Sequence, residues 1–139
     1  MPPTFILALL ALLSCSLLSD TQAIRRPAII NADGTTRAND QNTWHLNMPS
    51  VLNITGQDRV LFRWSFTYFQ GAETEHNLIE VPDASHLATC DSTGGSVIHK
   101  ASMNGKKVLG PWRRGSTHYF LGNLPYQCQY GLRLAVHVQ

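Results

Sequence analysis

The sequence predicts an all-β sandwich, on three observations. From Val60 onward the even positions Val60, Phe62, Trp64, Phe66 and Tyr68 are large and apolar, with Arg63, Ser65 and Thr67 between them. A period of two sustained over that length marks a long, half-buried strand. The end of the chain repeats the pattern, with Leu132, Leu134, Val136 and Val138 on one face and Arg133, Ala135 and His137 on the other. Between these runs, short apolar segments are separated by Gly, Pro and Asn, and helical periodicity is almost absent.

The elements follow in chain order. Phe5 to Leu18 is an uncharged run of apolar and small residues. It falls short of the ~20 residues a membrane-spanning helix needs and suits the core of a signal peptide. Thr21-Gln22-Ala23 supplies the small residues a signal peptidase reads, so cleavage is expected before Ile24. Residues 1–23 are then a signal peptide and residues 24–139 one secreted, extracellular domain. Residues 31–43 are polar and turn-rich and read as a loop. Asn53-Ile54-Thr55 is a glycosylation sequon beside the turn announced by Gly56.

The strand from Val60 places Trp64, Phe66 and Tyr68 in the core. His76 to Val81 is a second strand, and Pro82 to Ala88 is the stretch where a helical turn fits. Asn104-Gly105, between Ser102-Met103 and Lys106-Lys107-Val108, suggests a two-residue hairpin turn, because Asn-Gly tolerates the positive φ angles it demands. Trp112 follows Gly110-Pro111 in a loop; packing is the first expectation for it, anchoring of a glycan or partner the second. Thr117 to Leu121 is a short strand entered through Gly115.

Charge excludes some partners. Once Asp20 leaves with the signal, 11 basic residues face 8 acidic ones, a net +3. The basic residues come as pairs rather than as a stripe, which argues against nucleic acid. The chain closes on Val136-His137-Val138-Gln139, without the apolar tail of a lipid-anchor signal, so a soluble, released monomer is expected. Of the three cysteines, Cys15 lies in the signal segment. Cys90 and Cys128 remain, and an even count in an oxidising compartment reads as one disulfide. No Gly-x-Ser-x-Gly elbow or paired-carboxylate motif is present, and the acids are scattered, so no enzyme is expected. Glu73, Glu75 and Glu80 sit near His76 and read as a solvated strand edge.

Several segments together resemble one family. Gly56-Gln57-Asp58-Arg59-Val60-Leu61-Phe62 resembles the Gly-Asp-x-Leu-x-Phe strand opening of the plant phytocyanins, with one extra residue. His76-Asn77-Leu78-Ile79-Glu80-Val81 resembles their His-Asn-Val-x-x-Val strand, and Ser85 to Cys90 the segment ending in the first disulfide cysteine. His118-Tyr119-Phe120-Leu121-Gly122 resembles Tyr-Phe-Ile-Cys-Gly, and Cys128-Gln129-Tyr130-Gly131-Leu132-Arg133-Leu134 the closing Cys-x-x-Gly-Met/Gln-Lys-Leu. The resemblance runs over about residues 44–138 and implies a cupredoxin-like Greek-key β-sandwich.

It also implies a site. Type 1 copper takes two imidazole nitrogens, a thiolate and a weak axial ligand. His76 matches the first histidine; Leu121 stands at the cysteine position, Gln127 at the second histidine and Leu132 at the axial ligand. The loop through Leu124-Pro125-Tyr126 comes out one residue longer. On this alignment Leu121 and Leu132 pack together and close an emptied pocket, and no copper or other cofactor is expected. His45, His86, His99, His118 and His137 lack the close spacing of zinc ligands. The resemblance implies a copper-free relative of the early nodulin-like subgroup, acting as a non-redox binding or structural module at the plant cell surface or wall. Its partners would be cell-wall glycans, arabinogalactan-type proteins or a receptor ectodomain. The alternative is a copper-binding electron-transfer protein using His76 with non-standard ligands.

Overall fold

The computed structural model describes residues 27–36 and 42–139. The expected signal peptide, residues 1–23, and its cleavage point lie outside the described residues. In chain order the elements are β1 (Ile29–Asn31), β2 (Val51–Ile54), β3 (Arg59–Trp64), β4 (Tyr68–Phe69), β5 (Ala72–Glu73), β6 (His76–Val81), α1 (Ala84–Ala88), β7 (Ser96–Ser102), β8 (Gly105–Leu109), β9 (Thr117–Leu121) and β10 (Arg133–Val138). They form a three-stranded sheet in the order β1-β3-β8, a five-stranded sheet in the order β2-β10-β9-β6-β7, and a small β4-β5 hairpin. Neighbours in the sheets are mostly distant in sequence, and β1–β3 and β2–β10 pair in parallel.

The two larger sheets face each other across one core. Period-two alternation sends Val60, Phe62 and Trp64 inward from β3, and Leu134, Val136 and Val138 inward from β10. Leu78 of β6 and Phe120 of β9 join them, with Trp44 from the segment before β2. Phe62 is the hinge of an aromatic row, with Trp44 edge-on at 5.3 Å and Phe120 tilted at 4.9 Å. A smaller apolar layer lies on the other face of the five-stranded sheet, where Ile79, Val81, Leu121 and Ala135 are covered by Leu87 of α1 and by Cys128. That second layer explains why β6 is buried at nearly every position. Helix α1 starts at Asp83, whose carboxylate accepts from the His86 backbone N–H. The Cys90–Cys128 disulfide, with Cα atoms 5.8 Å apart, ties the end of this helix to the turn before β10.

Two expectations fail. The alternation from Val60 ends as a strand at Trp64: Phe66 has φ 49°, in the left-handed region. There the backbone turns away from the sheet, so Phe66 and Tyr68 are 72% and 62% exposed rather than in the core. Asn104-Gly105 does not close a hairpin either. Strand β7 pairs with β6 and β8 with β3, so the turn carries the chain from one sheet to the other. Gly105 is needed for space rather than for a positive φ, since a Cβ there would lie 2.1 Å from Trp64 Cζ2.

Candidate functional site

At one end of the sandwich the start of β6, the exit of β9 and the turn before β10 converge. The turn carries Gln127 directly before the disulfide cysteine, and the disulfide fixes it against the five-stranded sheet. Gln127 is buried, and its Nε2 donates to Glu75 O at 2.8 Å and to Thr74 Oγ1 at 3.2 Å. The same carbonyl lies 3.0 Å from His76 Nδ1. A carbonyl only accepts, so this bond places the His76 proton on Nδ1 and leaves Nε2 with its lone pair in the neutral ring. Burial pushes the His76 imidazole below its ordinary value of 6.5, against the opposing pull of the Glu75 carbonyl and of Gln127, and the charge of His45 adds to the lowering. Gln127 Oε1 is buried with no donor at hydrogen-bonding geometry, the one such side-chain atom among the described residues, and a proton added to the His76 ring is the donor it would meet.

Leu132 is fully buried, and its N–H donates to Gln127 O at 3.0 Å. Leu121 is elsewhere, which corrects the four-residue pocket expected from the sequence. It belongs to the outer layer with Ile79, Leu87 and Cys128, whereas Leu132 belongs to the main core. The two leucines therefore do not join to close one cavity. Successive strand residues point to opposite faces, so the residue beside Leu132 is the next one, Gly122. Its N–H donates to Leu132 O at 3.0 Å, and a Cβ on it would meet Leu132 Cδ2 at 2.3 Å. Counting from Gly122 also removes the extra residue inferred for the loop.

That loop is held by a side-chain clamp the sequence did not announce. Asn77 Oδ1 accepts from the Asn123 backbone N–H at 2.9 Å, and its Nδ2 donates to Asn123 Oδ1. Asn123 Nδ2 reaches Ser92 Oγ at 3.2 Å. From underneath, Trp44 Nε1 donates to Asn77 O at 2.9 Å. Beyond the clamp, residues of the β4-β5 hairpin and of the 124–127 turn border a surface cleft of about 500 Å3.

The remaining histidines are dispersed. His45 sits on Asp33 at 2.9 Å, His86 on Asp83 at 2.7 Å, and His99 meets Trp64 edge-on. His137 contacts Thr117 Oγ1 at 3.1 Å. His118 stacks on Trp112 at 4.6 Å, which seats that tryptophan against the core. His118 also lies 3.0 Å from Ser116 Oγ and 3.5 Å from Glu80, but the Ser116 hydroxyl donates to Arg113 O. Asn53 is exposed on the edge strand β2. Among the described residues no group of three or more His, Cys, Asp or Glu is placed to hold a metal.

No protein-family model matches the chain, and no curated protein matches it. Solved structures do. Cucumber basic protein, a blue copper protein, superposes with a TM-score of 0.50 at 24% identity, covering 69% of this chain and 90% of its own. Cucumber stellacyanin superposes with a TM-score of 0.54 at 15% identity, covering 83% of this chain and 99% of its own. The fold is cupredoxin-like. At such identities the likeness is one of fold, so what the site holds must be judged from its donors. Cucumber basic protein is a blue copper protein, and a type 1 copper centre needs a thiolate and two imidazoles. Here one imidazole stands with its Nδ1 on a carbonyl, beside a carboxamide whose nitrogen is committed twice, a glycine and a leucine. This donor set does not fit that metal centre.

Proposed function

We propose that the chain is a secreted, phytocyanin-like protein without the blue-copper site, acting as a non-redox binding or structural module at the plant cell surface or wall. One observation carries the reading: the end of the sandwich offers a single imidazole, His76, with Gly122, Gln127 and Leu132 around it. A thiolate is the dominant bond of a type 1 centre, and a glycine has no atom with which to replace it. The partners on this reading are cell-wall glycans, arabinogalactan-type proteins or a receptor ectodomain, with no enzymatic step. The alternative, electron transfer through copper held by His76 and other ligands, would need a donor cluster, and among the described residues no group of three or more His, Cys, Asp or Glu is placed to hold a metal.

Binding by such a module is indifferent to copper. Purified protein, with and without chelator, is applied to an array of wall glycans and to a panel of immobilised wall proteins and receptor ectodomains. The reading predicts at least one partner bound equally in both states. Blank panels, or binding abolished by chelation, would contradict it.

A further inference from the structure

Helix α1 covers only part of the outer face of the five-stranded sheet. Leu52 and Ile54 of β2 point into the main core, so Val51 and Asn53 point outward. Val51 lies opposite Ala135 of β10 and Asn53 opposite His137, while Ala135 also lies opposite Tyr119 of β9. The helix packs over β9 and β10, and between it and β2 runs a groove of about 440 Å3. Val51, Leu87, Tyr119 and Ala135 give the groove a largely apolar lining, to which Arg133 and His137 add polar groups. Leu87 is buried against the sheet, but Val51 is 49% exposed.

The sequon Asn53-Ile54-Thr55 stands at the mouth of this groove. Asn53 is exposed, and its neighbours on the same face, Val51 along the strand and His137 across the ladder, both line the groove. They lie about 7 Å along and about 5 Å across from it, within the span of the first sugars joined to its carboxamide. An N-acetylhexosamine has an apolar C–H face and an acetamido methyl, edged by hydroxyls. That surface matches a tyrosine ring and aliphatic side chains bordered by polar groups. A bulky, hydrated chain here also obstructs a protein partner, so the substituent itself is the best-placed occupant. We propose that Asn53 carries an N-linked glycan whose first sugars fold onto this groove and cover Val51, Tyr119 and Ala135. The donor is a lipid-pyrophosphate-linked oligosaccharide. Asn53 Nδ2 gains a bond to the anomeric carbon, the bond from that carbon to the phosphate oxygen breaks, and the lipid pyrophosphate leaves with the amide proton. The proposal rests on the secreted reading of the chain and is independent of the state of the His76 end.

The test starts from the full chain expressed in a eukaryotic secretory host and recovered from the medium. The peptide containing Asn53 should carry N-acetylhexosamine mass that a glycosidase specific for N-linked chains removes. In the intact glycoprotein, nuclear Overhauser effects should connect protons of the first sugars with the Tyr119 ring and the Val51 methyls. Removing the glycan should speed amide hydrogen exchange around Val51 and Ala135 about threefold or more, and Asn53→Gln should reproduce that change. Val51→Asp keeps the sequon, so it should keep the sugar and lose the contacts. Both substitutions alter exposed side chains, so the fold should survive them, and the far-ultraviolet dichroism spectrum checks that. Secreted protein with an unmodified Asn53, a glycan without contacts to the groove, or exchange unchanged by its removal would overturn the proposal and leave secretion standing. A chain retained inside the cell would overturn both.

Discussion

Gly122 and Leu132 share a space that admits one side chain. A Cβ at position 122 would lie 2.3 Å from Leu132 Cδ2, and Leu132 is fully buried, so neither can yield cheaply. Gly122→Ala should cost about 1–3 kcal/mol, the usual range for overpacking a core. With Leu132→Ala in the background the added methyl meets empty space and should cost far less. Urea unfolding of the four proteins of this cycle measures the coupling, which should be at least about 1 kcal/mol; additive effects would mean the two residues do not compete.

His76 gives a second prediction at the same scale. Its folded-state proton affinity is lowered, chiefly by burial, from an unfolded value near 6.5. Below that value the unfolded chain takes up a proton the folded chain refuses. Stability should fall as pH drops through the window between 6.5 and the lower folded value, then level off. His86 acts in the opposite sense: Asp83 raises it, and its contribution is lost as pH rises. Urea midpoints at about pH 7.5 and about pH 5.5 are therefore best compared in a His86→Ala background. The acid loss should shrink when His76→Gln is added; an unchanged loss would place its source elsewhere.

His76 was picked out by its His-Asn strand motif, and Gln127 and Leu132 by their spacing from Cys128. Leu121 was misplaced because a shift of one residue on a strand exchanges its two faces.

At the scale of elements, alternation predicted β3 and β10 well because a core lies on one side of each. It overran at Phe66, where one residue with positive φ ends the strand although the apolar pattern continues for two more positions. The Asn104-Gly105 turn misled for a related reason. Local turn chemistry says that the chain reverses, and it does not say whether the next strand rejoins its neighbour or crosses to the opposite sheet. Helix α1 lay within the stretch picked out for a helical turn, and Asp83 caps it. Its role was not visible in the sequence, because the outer layer it covers is assembled from β6, β9 and β10 together. The disulfide joins this layer to the site turn. Closing the loop between Cys90 and Cys128, 38 residues apart in sequence, contributes roughly 4 kcal/mol by the chain-entropy estimate, and Gln127 directly precedes that anchored cysteine. The Asn77–Asn123 clamp had no spacing to betray it, since the residues that meet come from separate segments.

For the whole molecule, the cupredoxin-like sandwich was readable from two alternating strands, two cysteines and a handful of ordered motifs. The state of the site depended on which face one strand residue takes. The fold builds a rigid end from three converging segments, and in this chain that end presents a histidine, a carboxamide, a leucine and a glycine. Among the described residues no helix is long and apolar enough to cross a membrane. The central claim is that this end works without a type 1 copper. The most direct measurement is the metal content and visible spectrum of the protein purified from copper-supplied cells and dialysed. The account predicts far less than one copper per chain and colourless protein, whereas one tightly held copper per chain with an intense blue band would contradict it.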